Sequence, residues 1–132
     1  MRGRNVIEVQ GLTALMSDLT AAPEKLRAGV RATVEKAALN IKDDAKDIVT
    51  RATPKGHARA YPASITYDVQ QTATGGTSAE IGPDKEKRQG ALGNLIEFGS
   101  ANNSPIPHLG PALEHEIPNL DFWLTEVAGE AL

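Results

Sequence analysis

The chain has no cysteine, which removes both a disulfide frame and any thiolate metal site and fits assembly in a reducing cytoplasm. Aromatic residues make up only 4% of its 132 positions, with a single tryptophan, so Leu, Ile, Val and Ala must build the core. No apolar run approaches the roughly 20 residues of a membrane span. The N-terminal MRGRNVIEVQ is basic but lacks the apolar stretch of a secretion signal. Neither sign of charge dominates: a net charge of -3 gives no general attraction to nucleic acid or to an anionic membrane. With 40% hydrophobic and 23% charged residues, the expectation is a soluble intracellular product with one domain over residues 1–132.

What is present is periodicity. Residues 6–9 are β-prone, and Leu12, Leu15, Met16 and Leu19 predict a short amphipathic helix over 12–20. Behind Pro23 and Glu24, the residues Leu26, Val30, Val34, Ala37, Ile41, Ala45 and Ile48 form one apolar stripe, with charges on the opposite face. Only Gly29 interrupts the pattern before Thr53-Pro54, so a helix of about 30 residues and about 45 Å is expected. A helix that long in so small a domain points to packing beyond its own chain or across a subunit boundary. The alternative is a helix lying across a hairpin within a monomer. Residues 53–62 are a breaker-rich connector, expected to be exposed and mobile. Ile65, Tyr67 and Val69 alternate with polar residues, Thr74-Gly75-Gly76-Thr77 marks a turn, and Ala79 and Ile81 return, predicting a hairpin over 63–82. Residues 83–90 read as a solvated charged loop. The fold class is therefore α+β: a long amphipathic helix on a small antiparallel sheet, with a short helix and a C-terminal helix.

The organising stretch is 92–113, LGNLIEFGSANNSPIPHLGPAL. A short helix over 91–98 should bury Leu92, Leu95 and Ile96 and stop at Gly99, in the left-handed C′ position. A polar loop over 100–104 follows, then Pro105-Ile106-Pro107, and a second helix from near Pro111. Its stripe is Leu113, Ile117, Leu120, Leu124 and Val127, with a kink or short break expected at Pro118. Trp123 beside it is a core anchor or an interface residue.

Chemistry finds little to use. His57, His108 and His115 form no HExxH pair, and the adjacent side chains of Glu114-His115-Glu116 diverge by about 100° on a helix. His108, between Pro107 and Leu109, reads as a packing or interface residue. The turn Thr74–Ser78 lacks the spacing and following helix of a phosphate loop, and no serine sits in a GxSxG elbow. Arg2, Arg4, Lys55, Arg59, Lys85, Lys87 and Arg88 lie in loops without interleaved aromatics and read as solvated surface. The sequence yields no catalytic, cofactor-binding or metal-binding residue.

The segments Asn94-Leu95-Ile96-Glu97-Phe98-Gly99-Ser100 and Pro107-His108-Leu109-Gly110-Pro111-Ala112-Leu113-Glu114 carry a resemblance. Together they resemble the small tail-component, or head–tail joining, family of HK-type long-tailed bacteriophages. Its members show an apolar residue, Glu, an aromatic and Gly-Thr, then proline-aromatic-Leu-x-Pro-Ala-Leu. Ser100 stands here for the threonine and His108 for the aromatic, and the Gly-x-Leu-x-x-Ser-Ile pattern before the hairpin survives only as Gly56 and Ser64-Ile65. The order of elements is similar over most of the chain, but the specific match spans about 20 residues. The resemblance implies a non-enzymatic virion protein that forms a homo-oligomeric ring at the neck or head-proximal tail end and helps join head to tail. Six copies follow from tail symmetry and twelve from portal symmetry. The implied partners are other neck and tail proteins (head-completion or connector, tail terminator or tail tube), with no membrane and no sequence-specific nucleic acid, although the ring would surround the DNA channel. The implied location is the virion, and the host cytoplasm during assembly. Leu95, Ile96 and Phe98 should anchor the motif helix to the sheet, Gly99 should permit its sharp exit, and Glu97 should cap or hydrogen-bond locally. Ser100, Leu109, Leu113 and Trp123 complete the interaction set, and Pro105, Pro107 and Pro111 should hold the loop extended. The alternative from another class is a monomeric intracellular binding or regulatory module.

Overall fold

An apolar residue every third or fourth position makes the first long helix a scaffold, and the rest of the chain lies along it. The computed structural model describes residues 22–54 and 56–131. The expected elements over 6–9 and 12–20, with Arg2, Arg4 and Lys55, lie outside these. Helix α1 (Glu24–Ala52) has 29 residues, opens behind Pro23 and ends where Thr53, preceding Pro54, turns extended. Its buried stripe is Val30, Val34, Ala37, Ala38, Ile41, Ala45 and Val49. Strands β1 (Ile65–Gln71) and β2 (Thr77–Pro83) pair antiparallel, Tyr67 opposite Ile81 and Val69 opposite Ala79. Thr72 closes the turn: its N–H donates to the Gly76 carbonyl at 3.0 Å, and its hydroxyl accepts the Gly76 N–H at 3.0 Å. A 3-10 turn (Gly90–Leu92) leads into the six-residue α2 (Gly93–Phe98), and α3 (Leu109–Ala131) closes the chain. The architecture is α+β.

Two clusters of buried side chains share α1. Towards its C-terminal end, Ala38, Ile41, Ala45 and Val49 meet Tyr61, Ile65, Ile81, Leu109 and Ala112. Towards its N-terminal end, Val30, Val34 and Ala37 meet Leu120, with Leu26, Leu124 and Val127 alongside. Helix α3 thus runs antiparallel to α1. Between the clusters the Asn40 amide donates to the Glu116 carboxylate at 2.9 Å, tying the two helices through a polar contact. The apolar stripe of α1 is therefore covered by its own hairpin and its own α3. The length of α1 alone no longer calls for a neighbouring subunit.

Several expectations need correction. Helix α3 begins at Leu109, so Pro111 sits in its first turn rather than in the loop; proline is tolerated there because first-turn N–H groups have no partner within the helix. The helix continues through Pro118 without a break. The carbonyl that Pro118 leaves unpaired belongs to Glu114, and both residues are exposed, so water can take its place. Ile117 is exposed, and Glu116, not an apolar residue, faces α1 at that level. Trp123 is 56% exposed and is not a core anchor. Pro83 ends β2 and is buried rather than opening the charged loop.

Candidate functional site

Glu97 lies in the middle of the motif, and the 3.6-residue period settles which neighbours share its direction. Gly93 lies one turn earlier and Ile96 is adjacent, whereas Leu95 points nearly opposite. Glu97 is 7% exposed and faces inward, so Leu95 and Phe98 face outward, at 47% and 73% exposure. This corrects the expectation that Leu95 and Phe98 anchor α2 to the sheet. Of the three, only Ile96 packs on the core.

A polar cluster holds α2 instead. The Glu97 carboxylate accepts the N–H groups of His108 at 3.1 Å, Leu109 at 2.9 Å and Gly110 at 3.3 Å. The fourth group, at Pro111, has no hydrogen, and the Ala112 N–H starts the helical ladder on the His108 carbonyl at 3.1 Å. Every backbone donor at this buried helix start is thereby accounted for. The negative carboxylate also sits at the positive end of the α3 dipole. Capping normally comes from a residue adjacent in sequence; here it comes from one eleven positions away. The contact therefore locks α2 to α3 as well as satisfying the helix end.

His108 is fully buried, which corrects the reading of it as an interface residue. Its Nδ1 lies 2.8 Å from the Ile106 carbonyl and 3.0 Å from a Glu97 oxygen, both acceptors, so the ring proton belongs on Nδ1. Nε2 is then left to accept the Tyr61 hydroxyl at 2.7 Å, and the two rings meet edge-on. Burial pushes the Glu97 carboxyl up. The hydrogen bonds from the His108 side chain and the Leu109 and His108 N–H groups outweigh it and hold the pKa at about 2. Burial first, then the Glu97 charge, raises the Tyr61 hydroxyl well above the usual tyrosine range, so it remains a donor. Tyr61 and His108 have 0% exposure, and the carboxylate is engaged by three N–H groups. A Tyr–His–Glu chain so placed can hold structure, and it offers a substrate no approach.

The remaining motif residues frame this cluster. Gly99 adopts φ 77 and ψ -177, not the left-handed helical conformation expected of it but a region essentially reserved for glycine. A side chain there would also meet the Pro105 nitrogen at 2.8 Å. Ser100 pairs with Asn103 across the loop, and the Ile106 N–H donates to the Ile96 carbonyl at 2.7 Å, returning the chain to α2. Pro105 and Pro107 are exposed in the extended segment, Leu109 is buried in the main core, and Leu113 packs against it. Sequence reasoning missed Tyr61, which sits in a connector read as exposed; its only signal was to be one of two tyrosines in an aromatic-poor chain.

No family model, no curated protein and no solved structure matches the chain. The site must therefore be read from its own geometry. Two surface depressions flank the connector. One, of about 470 Å³, is lined by Ala52, Pro54, His57, Leu95, Ile96 and Ile106 among others. The other, of about 560 Å³, is formed by Gly56, Arg59, Ala60, Arg88 and Gln89, where the Gln89 side chain accepts the Ala60 N–H at 2.7 Å. Among the described residues, no three His, Cys, Asp or Glu side chains converge as a metal site would require.

Proposed function

We propose that this chain is a non-enzymatic structural protein of a long-tailed phage virion, forming a ring at the head–tail junction and helping to join head to tail. The observation that carries the reading is the division of labour within the motif. Its polar groups, Glu97 and His108, are fully engaged inside the subunit, while its apolar residues Leu95 and Phe98 face outward. That is the arrangement of a clamp that fixes a surface for docking. Ile117, Phe122 and Trp123 on α3 extend the exposed apolar inventory, and exposed large apolar groups of this kind mark association sites when they cluster. The similarity of the two motif segments to the tail-component family supplies the biological setting.

One observation favours the alternative of a monomeric binding module: α1 finds all its apolar partners in its own chain. Antibody labelling of purified phage particles by electron microscopy tests the proposal. Label at the head–tail junction is expected; particles without the protein would contradict it and leave the monomeric module.

A further inference from the structure

The exposed aromatic pair on α3 and the groove beside the connector lie at opposite ends of the subunit. Phe122 and Trp123 stack edge-on with centroids 5.1 Å apart, each 56% exposed. Leu120 packs beside Val34 and Ala37, and Val127 crosses Gly29, so the pair sits level with the first third of α1. The groove opens at the other end of α1, where Ala52, Leu95, Ile96 and Ile106 line it. About 20 helical residues, or about 30 Å, separate the two. One subunit cannot close that distance on itself.

Charge follows the same division. Helix α3 carries Glu114, Glu116, Asp121, Glu126 and Glu130 and no lysine or arginine, and Asp121 and Glu126 flank the exposed rings. Of the cations in the first half of α1, Arg27 and Arg31 are paired with Glu24, Lys25 donates to the Glu130 carbonyl, and Lys36 stands beside Glu35. At the other end, the cleft formed by the same connector presents Arg59 and Arg88, and the adjoining loop exposes Lys85, Glu86 and Lys87, leaving an excess of positive charge. Asp84 in that loop is turned onto the Glu86 N–H. An aromatic pair between carboxylates thus has its complement in an apolar groove beside arginines.

We propose that the occupant of the groove is a second copy of this chain: Phe122 and Trp123 of one subunit enter the groove of the next, with Asp121 and Glu126 against Arg59 and Arg88. This rests on the proposed assembly role and specifies its contact. Because the two surfaces differ, the contact is heterologous, and repetition closes a ring when the rotation permits. Buried aromatic anchors of this kind dominate the energetics of such interfaces, and the charged rim sets orientation.

Light scattering on the full chain tests this with two variants altered only at exposed positions. The Phe122→Ser/Trp123→Ser variant lacks the aromatic pair, and Leu95→Asp spoils the groove. Wild-type protein should show a multi-protomer mass, and each variant alone should fall to 14.0 kDa, with association weakened at least about tenfold. Mixed, the two variants retain one good pair of surfaces between them and should give a species of twice the protomer mass and nothing larger. A wild-type monomer at all concentrations, a mixture that stays monomeric, or a Leu95→Asp variant that assembles normally would each overturn the contact. Cysteine pairing guards against an unfolded variant, since the chain has no cysteine of its own. Thr125→Cys, at an exposed position beside the rings, combined with Asn103→Cys should give a bismaleimide ladder, and Thr125→Cys alone none. A dimer from the single variant would overturn the proposal in favour of a symmetric aromatic contact. Protein found at the junction of labelled particles but failing these tests refutes the contact and keeps the virion role; the converse result refutes the role.

Discussion

The molecule presents two sets of aromatic and acidic side chains with opposite fates. Around α2 and the start of α3, Tyr61, Glu97 and His108 are buried and bonded to one another or to backbone. On the far half of α3, Asp121, Phe122, Trp123 and Glu126 face solvent. The first set holds the fold together, and removing any member leaves a buried partner without its bond. The second contributes little within the subunit and remains available to a partner. The difference shows that an aromatic or carboxylate on a helix signals function only after the other members of its neighbourhood are known.

The largest effect is expected at Glu97. Glu97→Ala strips three buried or half-buried N–H groups of their acceptor, and should cost about 3 kcal/mol, lowering the melting temperature by about 10 °C in a calorimetric scan. Next is Gly99→Ala, which forces a side chain into a glycine-only backbone conformation and against Pro105. A loss of about 2 to 3 kcal/mol by urea unfolding is expected. Tyr61→Phe removes only the hydroxyl bonded to His108, and should cost about 1 to 2 kcal/mol.

Acidification sharpens the same comparison. The folded Glu97 pKa lies below its ordinary value of 4.5, at about 2. A depressed carboxylate pKa contributes stability that is present above the unfolded value and lost as pH falls through the folded one. The stability advantage of wild type over Glu97→Gln should therefore hold at neutral pH and shrink between about pH 4.5 and pH 2. An advantage independent of pH in that window would remove the charge from the account. The smallest effect belongs to the exposed face. Added to the non-assembling Leu95→Asp chain, Phe122→Ser/Trp123→Ser should leave subunit stability within about 0.5 kcal/mol.

Much of this fold is legible from periodicity alone. The apolar spacing of α1 and the alternation in β1 are strong signals, because each buries one continuous face of a regular element. The 94–113 stretch stands out in sequence, but its internal geometry does not. In a six-residue helix, Leu95, Ile96 and Phe98 look like the apolar face, and nothing local reveals that Glu97 takes the inward position. Its partners come from eleven to thirteen residues downstream, so only the folded chain shows why a carboxylate outcompetes three apolar side chains. Tyr61 is hidden for the same reason: its partner His108 is 47 positions away. Pro118 misleads in the other direction, since the cost of a helical proline depends on whether the carbonyl it frees can meet water.

The most direct test of this division is urea unfolding at neutral pH of Glu97→Ala beside Phe122→Ser/Trp123→Ser, both made in the non-assembling Leu95→Asp chain so that lost association does not contribute. A loss of about 3 kcal/mol is expected for the first and less than about 0.5 kcal/mol for the second. Equal losses, or a larger one for the aromatic pair, would mean that the outer face of α3 helps hold the subunit together and that the motif is not its clamp.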